Sequence, residues 1–271
     1  MVLIYSRLRN INWERRFLDT ANEVRGLVEE NIRFYGYPYE KHLVQTEDGY
    51  ILSLIRFPRR TSEKLPVLIV HGFMACSTSW VAMGPEGSLG YQLYDAGYDV
   101  WLADLRGNQY SVHHAYLEKN DTKFWDFTFD EMGRFDQPAF IDYILAATGH
   151  QTLVHLGYSM GSASFFIMTS MRPEYNAKVE AHIALAPAVF MKHSETAYWK
   201  LHDSFVFLNE QLNLEHYGQP RPPHYDVSKT GIPVHIFYGA TDIVCPEQVC
   251  TFSFSFQLSS TRSSSRDTDG K

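Results

Sequence analysis

The sequence predicts an α/β domain: a mostly parallel sheet with helices on both faces. Three observations predict it. Short apolar runs of strand character recur at 65–70, 98–103, 152–156, 179–185 and 234–238, with helical segments between several of them. That alternation is the mark of helical crossovers joining parallel strands. The chain has 271 residues, enough for one large domain with a buried core. Hydrophobic residues make up 45% and charged residues 20%, an ordinary globular balance.

In chain order, residues 1–30 are polar and mixed and read as an N-terminal extension. Two strands at 41–57 flank a turn at Glu47-Asp48-Gly49, where Gly49 supplies positive φ. The run LPVLIV, 65–70, ends at His71-Gly72 and reads as a fully buried parallel strand. A helix at 88–96 is stopped by Gly97, and the strand YDVWLA at 98–103 leads into a polar loop from Arg106-Gly107-Asn108. Apolar residues recur at helical spacing through 129–148, with Gly149 after them and Pro138 placed to kink or split the helix. A strand at 152–156 precedes a helix at 162–171 that Pro173 ends. The strand at 179–185 is followed, beyond a proline-rich loop at 219–223, by the last clear strand, 234–238. That strand is expected to be an edge, which the alternating TFSFSF could pair. The serine-rich end, 251–271, reads as a disordered tail.

Composition excludes several functions. A net charge of −7 argues against nucleic acid as a partner, since phosphate binding needs a basic face. The cysteines Cys76, Cys245 and Cys250 show no metal-ligand spacing and read as structural or incidental. No apolar run approaches the ~20 residues of a membrane span, and the start shows no recognisable export signal. The sequon Asn120-Asp121-Thr122 is a glycosylation acceptor if the protein is exported.

The chemistry is expected at the carboxyl ends of the strands, where ligands bind on such sheets. GYSMG, 157–161, places Ser159 between two glycines, after a strand and before a helix. The string by itself arises by chance roughly one time in ten in a chain of this length. Its context marks a sharp turn that holds a serine hydroxyl clear as a nucleophile. An ester hydrolase also needs amides aimed at the oxyanion: the Met160 amide follows the nucleophile, and Phe73 in His71-Gly72-Phe73 is the second candidate. His71 itself reads as a packing or loop-fixing residue. Asp242, four residues beyond Tyr238, is the candidate acid.

With these residues in view, the chain resembles the acid lipase family of α/β-hydrolases: the gastric and lysosomal lipases and their insect relatives. The segments that carry the resemblance are YGYPYEKHLVQTEDGYIL (35–52), HGFMACSTSW (71–80), LYDAGYDVWLADLRGN (93–108), FWDFTFDEMGRFDQPAFIDYI (124–144), GYSMG, LAPA (185–188) and PPHYDVSKTGIPVHIFYGATD (222–242). The resemblance implies an α/β-hydrolase domain over 31–250, with Ser159 as nucleophile, Asp242 as charge-relay acid, and Phe73 and Met160 as oxyanion donors. It implies an acylglycerol or sterol ester substrate at a lipid–water interface, no cofactor, no metal, and a secreted or lysosomal setting. Against the family pattern, the chain has a reduced cap at about 189–221 and lacks the last strand and helix.

One catalytic group is missing. The order in such enzymes is serine, acid, histidine. All twelve histidines here precede Asp242, so no triad histidine is assigned. His155 reads as buried packing, and His193, His202, His216 and His224 in the cap remnant are poor substitutes. The expectation is a lipid ester hydrolase impaired by the absent base. The alternative is a non-catalytic lipid-binding or truncated product of a lipase gene, from a splice variant or an incomplete gene model.

Overall fold

The structure, a computed structural model, describes residues 28–189 and 210–237. Its elements follow the apolar runs. Helix α1 (Val28–Phe34) precedes a hairpin of β1 (Glu40–Gln45) and β2 (Tyr50–Phe57). Gly49 turns that hairpin at φ 100°, and the Thr46 hydroxyl closes it by accepting from the Tyr50 amide at 2.9 Å. Then come β3 (Val67–Val70), α2 (Leu89–Asp95), β4 (Val100–Ala103) and the two-residue β5 (His113–His114). Helix α3 (Gln137–Thr148) leads to β6 (Leu153–Tyr158), α4 (Met160–Met171) and β7 (Val179–Leu185). Helix α5 (Glu210–Tyr217) and β8 (Val234–Phe237) complete the described part. No described helix is long and apolar enough to cross a membrane.

The sheet runs β1-β2-β4-β3-β6-β7-β8, with β5 paired to β2. The five strands from β4 to β8 along this path are parallel, while β1, β2 and β5 are added antiparallel. The chain steps from β3 out to β4 and returns to β6 on the other flank of β3. That reversal opens a crevice at the carboxyl ends of β3 and β6, the usual ligand position on an open α/β sheet.

Alternation along β3 shows both faces covered. Leu68 and Val70 join one core with Trp101, Phe140, Ile144, Phe165 and Phe166, contributed in part by α3 and α4. Val67 and Ile69 join the other with Val28, Ile32 and Tyr91, from α1 and α2. A strand buried on both sides must be apolar at every position, which explains the unbroken VLIV.

The differences from expectation lie mainly at boundaries. Strand β6 runs on to Tyr158, and α4 starts at Met160 rather than at 162, so a single residue, Ser159, makes the turn. The helix expected at 129–148 does split, but ahead of Pro138, through a π-helical turn at Met132–Asp136. Pro138 lies in the first turn of α3, where a missing amide hydrogen costs nothing. At Gly133 a β-carbon would meet Ile167 at 2.4 Å and the Ser164 carbonyl at 2.8 Å, so this turn presses directly on α4. Two elements carry no sequence signal: β5 is too short for a period, and α5 (EQLNLEHY) has no apolar stripe. Asp242, His193, His202, Cys245, Cys250, most of the cap remnant and the 251–271 tail lie outside the described residues.

Candidate active site

Ser159 stands alone between strand and helix, at φ 51° and ψ −110°. A positive φ on a residue with a β-carbon costs on the order of 1–3 kcal/mol, so the surroundings must enforce it. They do so through the backbone. The Ser159 amide donates to the Leu185 carbonyl at 2.9 Å, and its carbonyl accepts from Ser162 and Ala163 at 3.1 Å each. The flanking glycines let the chain fold back. A β-carbon on Gly157 would stand 2.6 Å from the Ser162 nitrogen, and one on Gly161 would stand 2.6 Å from the Val70 carbonyl oxygen. Ser162 completes the turn by donating from its hydroxyl to the Gly157 carbonyl at 2.7 Å. The serine is part-exposed, and no described side chain hydrogen-bonds its hydroxyl.

The His71-Gly72-Phe73 loop packs against this turn. A β-carbon on Gly72 would lie 2.7 Å from the Tyr158 ring and 3.3 Å from the Ser159 β-carbon. The sequence-predicted nucleophile and the loop of the predicted oxyanion donor are therefore neighbours. Met160 opens α4, where an amide has no partner within its own helix, and its side chain is buried. Phe73 is 39% exposed, its ring 6.4 Å from that of Phe129.

His71 fixes the loop, as its sequence position suggests. Its ring is buried, Nε2 accepts from the Leu105 amide at 3.1 Å and from Asn108 at 3.0 Å, and Nδ1 donates to the Gly72 carbonyl at 2.8 Å. Two donors on one nitrogen and a carbonyl on the other define a single neutral tautomer. Burial pushes the imidazole below its ordinary value, and the nearby Asp104 carboxylate partly offsets this. The Gly72–Phe73 peptide is planar and trans, so holding its carbonyl toward His71 turns the Phe73 N–H the opposite way.

Beneath the loop lies a polar anchor, which in the sequence is only the start of a polar loop. Asp104 is fully buried, and burial raises its carboxyl group. Its Oδ1 accepts from the Ser77 amide at 2.8 Å and from Asn108 at 2.9 Å. Asn108 Oδ1 in turn accepts from the amides of Tyr110 and Ser111. Arg106, wholly buried, bonds Asp136 through Nε at 2.8 Å and Asp48 through Nη1 at 2.6 Å, with its guanidinium 4.0 Å from the Tyr50 ring centre. The signal was present: Asp, Arg, Gly and Asn packed into the five residues after a fully apolar strand.

The described histidines nearest in role are engaged elsewhere. His155 is buried, bonded to His182 at 2.9 Å and to Gln137 at 3.0 Å. His216 is taken up by Asp126 and Glu131.

With a doubly wound sheet, a strand–serine–helix turn at the reversal point and a glycine loop packed on that serine, the chain belongs to the α/β-hydrolase fold family, whose model, described as alpha/beta hydrolase fold, matches residues 66–214. A second model, described as a partial alpha/beta-hydrolase lipase region, matches residues 28–84, in keeping with the acid lipase resemblance. Among curated proteins, the chain is 48% identical over 168 residues to Lipase 1 of Drosophila melanogaster, covering 62% of this chain and 38% of that protein. It is 39% identical over 180 residues to gastric triacylglycerol lipase of Bos taurus, covering 64% and 45% respectively. The aligned region thus spans less than half the length of these relatives. Among solved structures, the Pyrococcus furiosus esterase Pf2001 shares the fold at TM-score 0.54 and 15% identity, over 82% of this chain and 78% of that one.

Proposed function

We propose that this chain carries the nucleophile and oxyanion machinery of a lipid ester hydrolase. Ser159 attacks the ester carbonyl, and the amides of Phe73 and Met160 receive the oxyanion. As the Ser159 acyl bond forms, the ester's acyl–oxygen bond breaks and the alcohol leaves with the serine proton. Water then releases the acyl group as the carboxylic acid, with Asp242 as the charge-relay acid for a histidine that this sequence does not place after it. The substrate class is an acylglycerol or sterol ester at a lipid–water interface, in a secreted or lysosomal setting. Asn120 is exposed and so accessible to glycosylation in that setting. The observation that carries the proposal is the enforced backbone of Ser159, at φ 51°, with the Gly72 loop packed against its β-carbon. Strain of that kind on a part-exposed serine, at the reversal point of the sheet, is what a nucleophile turn requires.

None of the twelve histidines follows Asp242, so this polypeptide taken by itself is expected to turn esters over slowly. Loss of the base costs on the order of 10⁶ in turnover in a serine hydrolase. That corresponds to about 8 kcal/mol of transition-state stabilisation. The same observation favours a second reading, a lipid-binding protein without turnover.

A fluorophosphonate probe with a parallel ester assay separates the two. Labelling confined to Ser159 and removed by Ser159→Ala, with ester turnover removed by the same substitution, supports a working hydrolase. Lipid binding with neither labelling nor turnover supports the second reading. Turnover that survives Ser159→Ala rejects the assignment of Ser159.

A further inference from the structure

The amino ends of the parallel strands, opposite Ser159, hold a cleft of about 440 Å³. Its walls come from the end of β2 and the loop leading into β3, the residue before β4, the start of β1, and the end of α3 with His150 beyond it. Four cations, Arg56, Arg59, Arg60 and Lys64, line it against two carboxylates, Glu40 and Asp99. This local excess of positive charge stands in a chain whose net charge is −7.

The carboxylates are already committed. Arg56 grips Asp99 with two bonds of 2.9 and 2.7 Å and Glu40 with a third of 3.0 Å. Arg60 takes the other Glu40 oxygen at 2.6 Å while its side chain stays 76% exposed. Lys64 donates to the Ala96 carbonyl, a neutral group that leaves its charge uncompensated.

Among the described residues no carboxylate pairs with the Arg59 guanidinium, although its backbone amide donates to Asp99 at 3.4 Å. Its guanidinium lies 4.4 Å from the Tyr94 ring centre, and its Nε is buried without a hydrogen-bond partner. His42 Nε2 is likewise buried and unbonded. The Glu40 carboxylate is 3.4 Å away but outside bonding geometry. Of the ten buried side-chain polar atoms without a hydrogen-bond partner among the described residues, two lie in this one basic cleft, where an anion would satisfy the donors.

We propose that this cleft binds a phosphate dianion, either inorganic phosphate or the phosphate of a monoester, with Arg59 as its principal ligand and Arg60 and Lys64 as supporting charges. A phosphate group near neutral pH carries about −1.5 to −2, which matches the local excess of two cations. The planar fork of a guanidinium meets two phosphate oxygens at once. The geometry favours a soluble ligand over a lipid headgroup. The cleft and Ser159 lie at opposite ends of β6, whose six residues span about 20 Å. A headgroup held in the cleft would turn the Ser159 crevice away from the lipid surface.

The test is calorimetric titration of the full chain with inorganic phosphate, with glycerol phosphate, and with phosphatidic acid vesicles against phosphatidylcholine vesicles. The expected result is saturable one-to-one binding of the soluble phosphates, weakened at least about tenfold by Arg59→Gln and by rising salt. Glu40→Gln removes a competing carboxylate and is expected to tighten binding several-fold, a gain that misfolding cannot produce. Binding only to phosphatidic acid vesicles, and lost with Arg59→Gln, supports the site and assigns the phosphate to a headgroup. No saturable binding of any probe, or binding indifferent to Arg59→Gln, overturns the proposal. None of these readouts depends on Ser159 or on ester turnover.

Discussion

Gly72 and Ser159 come so close that a β-carbon added to Gly72 would stand 3.3 Å from the one Ser159 carries. The same crowding recurs at Gly161, where a β-carbon would meet the Val70 and His71 carbonyl oxygens at 2.6 and 2.8 Å. These contacts lock α4 against the end of β3 and hold the Ser159 turn against the Gly72 loop. Backbone oxygens cannot swing aside as a side-chain tip can. Gly161→Ala is therefore expected to destabilise the fold by about 1–3 kcal/mol, read from urea unfolding. Gly72→Ala, whose nearest neighbour is the part-exposed Tyr158 ring, is expected to cost less. Equal stability of Gly161→Ala and the parent chain would contradict the packing described.

The His155–His182 pair makes a pH prediction. Both imidazoles lie wholly inside the protein, and desolvation lowers both, His182 to about 3, with His155 lowered further by its neighbour. An unfolded histidine titrates near 6.5, so below that value the unfolded chain binds protons that the folded pair refuses. Stability is full above about pH 6.5 and falls as pH drops toward about 3. The slope is about 1.4 kcal/mol per pH unit for each histidine. Urea unfolding between pH 7 and 4 measures it. The double substitution His155→Leu/His182→Leu is expected to flatten the slope, whatever it does to stability at pH 7.

Arg106 and Asp136 form an ion pair with both side chains fully buried. Removing one charge strands the other, so Arg106→Met is expected to cost about 3–5 kcal/mol. The double substitution Arg106→Met/Asp136→Leu is expected to recover part of that loss, since it removes the stranded carboxylate. A double-mutant cycle by chemical unfolding checks both. A purely additive result would mean that the pair is not coupled as its geometry indicates.

Asn108 ties the polar anchor to the His71 ring and hence to the Gly72 carbonyl. Asn108→Ala removes both of its donor bonds and both of its acceptor bonds, each worth about 1 kcal/mol. On the proposed mechanism, a loosened loop also misplaces the Phe73 amide. Fluorophosphonate labelling of Ser159 is then expected to slow by at least about tenfold at a temperature where the variant remains folded. Unchanged labelling in a folded variant would mean that the Asn108–His71 bond does not position the Phe73 amide.

Much of this molecule was legible in its linear order. Strands such as VLIV and VWLA announce double-sided burial because each of their residues must be apolar. Gly49, Gly97 and Gly149 mark turns because positive φ excludes most other residues. GYSMG and HGF could be picked out because they are short, local and built around glycine. What the order of residues did not reveal are relationships between distant segments: the bond from His71 to Asn108, the Arg106 pair with Asp136, the buried histidine pair, and the cations gathered at the amino ends of the strands. Each joins positions that local propensity treats independently. The two histidines meet because β6 and β7 pair in register, and the others because the sheet brings segments far apart in the chain to one end or the other. Sequence by itself determined which residues could form strands and turns, and where a serine stands between two glycines. Only the tertiary structure decided which polar side chains meet, because desolvation and pairing depend on what lies across a packed interface and not on what lies next along the chain.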